Sequence, residues 1–346
     1  MAETQAVPSA HRSRSILGQL GALCQAQGLA PLATRLGDLG DLTRGDLGAC
    51  EEALAAIERG GSLVARSAGH LLDLGGKRLR PLCVALAARL GAGFSPAARD
   101  LAVAVELVHA ATLLHDDVVD LGELRRGAPA ARMLYGNAAS IFAGDWLLVQ
   151  ALRRVRHAGI AGLLEQLLDV IESMIFAESE QLERRGVLAT DRAAYLRIVE
   201  GKTASLFRWA LGAGARAGGL GDGDCRALEA YGRHLGIAFQ AVDDLLDLRG
   251  DPTVVGKGLF ADVREGKMTY PLIVALERRP GLAALIADAE GELLADALRE
   301  TGAIDATLEL AREHAGRARA ALDGLPAGRA RSALETVAEA AVARDR

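Results

Sequence analysis

Apolar positions recur at helical spacing along most of this chain, and the breaks between them are few. No proline falls between Pro129 and Pro252. Within that span the stretches 134–157, 161–185, 191–213 and 224–249 each read as a helix of about two dozen residues. The segment Leu101 to Asp120 carries apolar residues on several faces, the mark of a helix surrounded by others in a bundle. Residues 1 to about 45, with the Gly- and Asp-punctuated run Leu36 to Gly48, read as a variable N-terminal extension carrying short helices, and 46–346 as one all-helical domain. No repeat of solenoid period is present.

Composition supports this reading. Of 346 residues, 50% are hydrophobic and only 3% aromatic, with Ala and Leu dominant, which favours helices over sheets. An all-α fold is expected. A net charge of -5 gives no footprint for nucleic acid and no polybasic membrane tail. Cys24, Cys50, Cys83 and Cys225 are scattered without CxxC spacing, as inert reduced thiols are, which points to the cytoplasm. The start, Met1 to Ser15, lacks an apolar signal core, and no run reaches the roughly 18 apolar residues of a membrane span.

The chemistry lies in two aspartate clusters of one shape, Asp116-Asp117-Val118-Val119-Asp120 and Asp243-Asp244-Leu245-Leu246-Asp247. Helical residues four apart share a face, so Asp116 stacks with Asp120 and Asp243 with Asp247, and no cation lies between them in sequence. Six carboxylates in apolar surroundings repel one another unless neutralised. Hard oxygen ligands in this number suit Mg²⁺, which keeps several waters and completes its shell with phosphate oxygens. The basic motifs say what such ions would serve. Gly75-Gly76-Lys77-Arg78-Leu79-Arg80-Pro81 places cations at a glycine-loosened helix start, where backbone N–H groups also attract anions. Arg125-Arg126-Gly127, Lys202-Thr203, Lys257 and Lys267 add more cations than one phosphate group needs, which implies two diphosphates held close together. Neither a Walker loop nor GxGxxG occurs, which disfavours a nucleotide.

From Gly75 to Pro271 the chain resembles the trans-isoprenyl diphosphate synthases, or polyprenyl synthetases. The resemblance rests on GGKRLRP (75–81), ELVHAATLLHDDVVD (106–120), RRG (125–127), GD (144–145), KTASLF (202–207), FQAVDDLLD (239–247) and GKGLFADVREGKMTYP (256–271). It implies an all-α bundle, usually a homodimer, with both aspartate clusters at the mouth of a central cavity. It also implies that Asp116 and Asp120 bind two Mg²⁺ ions and that Asp243 leads binding of a third, with Asp117, Asp244 and Asp247 supporting and Asp247 counted among the metal ligands. Lys77, Arg80, His109 and Arg126 would hold the diphosphate of isopentenyl diphosphate. Arg125, Lys202, Lys257 and Lys267 would grip that of the allylic substrate. Gln240, with Thr203 and Lys202, could set polar electron density beside a forming allylic cation. The implied reaction is ionisation of the allylic diphosphate, head-to-tail condensation and proton loss.

If the growing tail runs down the wall before Asp116, about one helical turn, roughly 5.4 Å, spans each isoprene unit. Thr112 and Ala111, then Val108, leave that path without an aromatic plug, and Trp146 on a facing helix is a candidate floor. A product longer than fifteen carbons is expected, of quinone-tail length ahead of geranylgeranyl diphosphate. The chain departs from the family pattern where the usual proline after Gly256-Lys257 is Gly258, where a nearby glycine is Phe260, and where the common GE pair is Ser179-Glu180. Two further classes share parts of the pattern. A terpene cyclase or head-to-head synthase would not need Lys77, Arg80 and His109, and a non-catalytic synthase subunit would have lost aspartates or cations that this chain keeps.

Overall fold

The computed structural model describes residues 16–26, 28–249, 260–288 and 291–343. Helices dominate them: α1 (Ile16–Ala26), α2 (Ala30–Ala55), α3 (Leu63–Asp73), α4 (Leu79–Arg89), α5 (Pro96–Val119), α6 (Ala131–Tyr135), α7 (Asn137–Ala158), α8 (Leu163–Glu183), α9 (Arg192–Val199), α10 (Ser205–Ala217) and α11 (Asp222–Arg249). After these come the short α12 (Ala261–Arg264), then α13 (Tyr270–Arg278), α14 (Ala283–Ala287), α15 (Gly291–Glu300), α16 (Ala303–Ala320) and α17 (Arg329–Ala343). The all-α expectation is met. Local chemistry sets several of the ends. The Ser62 and Ser95 hydroxyls accept from the N–H groups of Ala65 and Ala98, and Pro96 follows at the first helical position.

As the sequence predicts, α5 is central. Leu101, Ala102, Val103, Ala104, Val105, Leu107 and Val108 are all fully buried, and the helix packs against α2, α4, α7 and α10. The apolar cluster around it also takes in Leu32, Leu36, Leu39 and Leu54 of α2, so residue 45 falls inside a helix that belongs to this core. A second cluster gathers Tyr195 and Val199 with Leu245 and Leu248 of α11, Ile273 of α13, Leu298 of α15 and Ile304 of α16. Helix α11 spans the two, packed on α10 and on α16, where the Nδ1 atoms of His234 and His314 lie 3.0 Å apart.

Two local features depart from smooth helix. The stretch 191–213, which the pattern gives as one helix, is α9 and α10 joined by a π turn, Glu200–Ala204. Gly201 permits it, because a Cβ there would lie 2.7 Å from the Ala177 Cβ and 3.0 Å from the Ser173 carbonyl of α8. The only strands among the described residues, Leu124–Arg125 and Ala128–Pro129, pair antiparallel. Their two-residue loop, Arg126-Gly127, has positive φ at both positions (55° and 76°), the signature of a tight hairpin whose twist matches its strands. Arg126 therefore holds a conformation that costs a non-glycine residue about 1–3 kcal/mol. His70 of α3 secures the hairpin through Nε2 at 2.8 Å from the Pro129 carbonyl.

Candidate active site

The two apolar clusters meet around a cavity of about 310 Å³ whose lining includes Asp116, Asp120, Asp243, Asp244 and Asp247. Both aspartate clusters therefore open into one space.

The first cluster occupies the last turn of α5. Asp116 and Asp120 face the cavity, while Asp117 is 1% exposed and turned back to Arg125, whose Nε donates to its Oδ1 at 3.0 Å and whose Nη2 donates to the same oxygen. Burial pushes the Asp116 carboxyl up to about 6, with Lys202 opposing and Glu178 and Asp120 adding to it. Burial acts on Asp120 in the same sense, but Lys267 and Arg185 outweigh it and hold that carboxyl below its ordinary value. Lys267 Nζ donates to Asp120 Oδ2 at 2.9 Å and to Glu265 at 2.5 Å, and Arg185 Nη2 donates to Asp120 Oδ1.

The second cluster lies near the C-terminal end of α11, and its buried member Asp244 is held by neutral donors. The Asp244 oxygens accept from the Tyr195 hydroxyl at 2.7 Å and the Gln240 amide at 2.9 Å. Burial, helped by Asp262, pushes its carboxyl up to about 7. Asp247 Oδ2 accepts from the Asp262 backbone N–H at 3.1 Å, and the Asp247 carbonyl accepts from the Phe260 N–H at 2.8 Å. Phe260 stands where the family pattern has a glycine, and it adopts the left-handed φ of 59° that glycine accommodates without strain. Asp243 is the half-buried member of this cluster, whereas Asp244 and Asp247 are 2% exposed.

The π turn delivers Lys202 and Thr203 to the same cavity. Lys202 Nζ meets Glu178 at 2.5 Å and Gln181 at 3.0 Å. The Thr203 hydroxyl donates to the Gln240 amide oxygen at 2.9 Å, so Thr203, Gln240 and Asp244 form one hydrogen-bonded chain. Lys77, Arg125, Arg184 and Lys267 complete the cationic lining.

A second group of cations sits behind it. His109 is surrounded by Arg80, Arg126, Arg125 and Arg78, and burial together with their charge holds its imidazole well below the ordinary histidine value, hence neutral. Arg80 lies with its guanidinium carbon 4.7 Å from the centre of the Phe207 ring, and its Nε is buried without a hydrogen-bond partner. Gly76 leaves room for the group, since a Cβ there would be 2.8 Å from Arg78 Nη1, 3.1 Å from Arg126 Nη2 and 3.2 Å from Glu106 Oε1. Arg80, His109 and Arg126 are thus brought together, but none lines the 310 Å³ cavity.

Four further residues shape the site. Arg78, itself at a left-handed φ of 51°, donates to buried Glu106 at 2.6 Å and to Glu51 of α2 at 2.7 Å. Tyr195 and Arg185 bind aspartates directly, as above. Arg78 and Glu106 lie inside the quoted motifs, where spacing shows no partner, and nothing in the sequence pairs Tyr195 or Arg185 with an aspartate. Lys257 lies outside the described residues. Of the positions on the expected tail path, Val108 and Ala111 are fully buried, and Thr112 and Trp146 are half-buried. None of the four lines the cavity, whereas Leu113, one residue from Thr112, does.

Residues 62–298 match the family described as Polyprenyl synthetase. An octaprenyl diphosphate synthase of Escherichia coli is 36% identical over 288 residues, 80% of this chain and 88% of that protein. This chain belongs to the polyprenyl synthetase family. Among solved structures, a Caulobacter crescentus polyprenyl synthase, complexed with calcium and isoprenyl diphosphate, is 38% identical with a TM-score of 0.84, covering 89% of this chain and 97% of that one. A decaprenyl diphosphate synthase from Rhodobacter capsulatus is 34% identical with a TM-score of 0.82, over 90% of this chain and 99% of that one.

The donor set of this polyprenyl synthetase suits a hard divalent cation. Among the described residues no three His, Cys, Asp or Glu side chains are gathered tightly enough to hold a metal ion between them. The available donors are carboxylate oxygens spread over two walls of one cavity, with cations interleaved. Mg²⁺ is commonly held in this way, by one or two carboxylates with water and phosphate oxygens completing its octahedron. Asp116, Asp120 and Asp243 are the residues that would hold it.

Proposed function

We propose that this enzyme, a prenyltransferase, elongates an allylic diphosphate by head-to-tail condensation with isopentenyl diphosphate, with three Mg²⁺ ions per active site. The observation that carries this reading is the pairing of two acidic walls with two separate cationic groups. Lys202 and Lys267, with Arg125, lie where an allylic diphosphate would depart. Arg80, His109 and Arg126 gather behind them for a second diphosphate. Mg²⁺, when bound, supplies Lewis-acid neutralisation of the leaving diphosphate. The chain's own groups do the rest: the Lys and Arg side chains stabilise charge as it develops on the diphosphate oxygens, and the hydrogen-bonded pair Gln240 and Thr203 gives the cavity a polar wall. Leu113, Ile198, Val199 and Ile273 exclude water that would quench an allylic cation. The proton lost after condensation has the departing diphosphate as its acceptor.

The product we favour is a trans-polyprenyl diphosphate of quinone-tail length. Support comes from the names of the relatives, octaprenyl in Escherichia coli, decaprenyl in Rhodobacter capsulatus and a heptaprenyl component in Geobacillus stearothermophilus that is 34% identical. Geranylgeranyl synthases also appear among the similar proteins and make that product the second reading. We further infer a homodimer. Ile141, Phe142 and Val149 of α7 and Leu168, Ile175 and Phe176 of α8 are exposed large apolar side chains on two consecutive helices, which a second copy of the chain would cover. Among the described residues no helix is long and apolar enough to cross a membrane, and the four cysteines are unpaired and buried, which supports a cytoplasmic setting.

Incubation of the purified protein with Mg²⁺, isopentenyl diphosphate and allylic primers, followed by sizing of the products, tests the reading. Chains beyond fifteen carbons are expected, and Thr112→Phe is expected to shorten them. Failure to elongate any primer would leave only the cyclase and non-catalytic readings.

A further inference from the structure

Both oxygens of Asp120 are engaged by cations that come from different parts of the chain. Lys267 precedes α13 and meets Oδ2 at 2.9 Å, while Arg185 follows α8 and meets Oδ1. These two segments are joined to each other. The Gly186 N–H donates to the Gly266 carbonyl at 2.9 Å, both glycines have positive φ (72° and 73°), and a Cβ on Gly266 would lie 2.8 Å from the Gly186 nitrogen. Each bonded glycine is the immediate chain neighbour of one of the two cations, so Arg185 and Lys267 are mechanically coupled. Arg185 also keeps an unspent donor, because its Nε is buried without a hydrogen-bond partner. Its neighbour Arg184 is occupied, by Glu180 at 3.2 Å and Asp191 at 3.6 Å.

A metal ion on Asp120 requires the same lone pairs that these cations hold. We propose that Arg185 is an exchangeable counter-ion: it pairs with Asp120 until a metal–diphosphate complex arrives, then swings with Lys267 from the carboxylate to the diphosphate oxygens. This rests on the diphosphate reading above and deepens it, since it fixes an order of events. Divalent metal enters together with a diphosphate, because only the diphosphate gives the displaced guanidinium a new partner. Arg185 thereby acts in substrate binding, although it lies outside every motif that carries the family resemblance.

The test is direct Mn²⁺ binding to the substrate-free, full-length protein, with free Mn²⁺ read by electron paramagnetic resonance, with and without inorganic pyrophosphate. For the wild type, Mn²⁺ alone should bind weakly and pyrophosphate should strengthen it. Arg185→Gln should bind Mn²⁺ alone about tenfold more tightly, the scale expected for losing one competing, partly buried ion pair. It should also gain less from pyrophosphate. Arg299→Gln, which removes the same charge from an exposed pair with Asp296, should leave Mn²⁺ binding unchanged. Equal shifts in the two variants, no shift in Arg185→Gln, or weaker Mn²⁺ binding by it would each overturn the proposal. Arg185→Lys, which keeps the charge and loses the fork, should bind Mn²⁺ between wild type and Arg185→Gln and serves if the Gln variant misfolds. A wild-type protein that elongates no primer would refute the enzymatic reading while leaving the Mn²⁺ comparison intact.

Discussion

In the first aspartate cluster Asp116 and Asp120 face the cavity and Asp117 turns back to Arg125, while in the second Asp244 and Asp247 are tied to Tyr195, Gln240 and the Asp262 N–H and Asp243 is the half-buried member. One sequence spelling therefore yields two kinds of wall. The first is balanced by positive charge, from Lys267, Arg185 and Arg125, partners that the proposed exchange would trade for another cation. In the second, buried Asp244 is fixed by the neutral donors of Tyr195 and Gln240, which hold geometry without supplying positive charge. An Asp-Asp-x-x-Asp run says which carboxylates share a helix face. It does not say which are ligands and which are struts, because that depends on what the rest of the chain brings against them.

The largest effects should separate ligands from struts. Asp116→Asn and Asp243→Asn should both cut kcat/KM for elongation, by roughly 10³-fold and 10²-fold respectively, on the scale of losing preorganised charge stabilisation. Steady-state rates with saturating Mg²⁺ check this, and equal losses would erase the asymmetry between the walls. Next in size is the effect on a strut. Tyr195→Phe leaves one oxygen of buried Asp244 without its donor and should lower unfolding free energy by about 1–3 kcal/mol. Denaturant melts check it, and an unchanged midpoint would show that Asp244 needs no fixing.

The smallest predicted effect concerns the anchor of the second wall. Burial, with His234, Arg317 and Arg233 adding and Glu313 opposing, pushes the His314 imidazole down to about 4, and His234 is likewise lowered, with Glu200 and Glu313 opposing. The folded state thus binds protons less readily than the unfolded chain. Its stability contribution is complete above the unfolded value of about 6.5 and falls away as pH drops toward about 4, by about 2 kcal/mol once partial solvent screening is allowed for. Thermal melts across that window should show a steeper decline for wild type than for His314→Asn. Parallel declines would place the pH sensitivity elsewhere.

Much of this was legible in the sequence because the apolar repeats and glycine punctuation act locally. Helices α7, α8 and α11 fall within a few residues of the predicted stretches, and α5 is buried as its all-round apolarity requires. The Arg126-Gly127 pair is legible in the sequence only for its charge, and its two-residue turn emerges from the structure. The partners of Asp117, Asp120 and Asp244 were not legible, since Arg125, Lys267, Arg185 and Tyr195 reach them through tertiary contacts that no spacing rule records. Nor was Arg78 visible as the buried link between Glu106 and Glu51. The junction at Glu200–Ala204 was hidden for a different reason: it contains no proline, and a single glycine within a helical pattern does not mark a π turn.

That junction has a bearing on how this protein tolerates change. A wide turn holds one residue more than an α-helical turn of the same rise, so α9 and α10 run in registers offset by about 100°, the rotation of one helical position. Removing Glu200 or Gly201 would let the backbone heal into an unbroken rod. Tyr195 and Lys202 would then stand six helical positions apart, about 120° around it, and two walls that now share one chamber would lose their common hinge. Length at this point is therefore as much a part of the catalyst as the identity of any side chain.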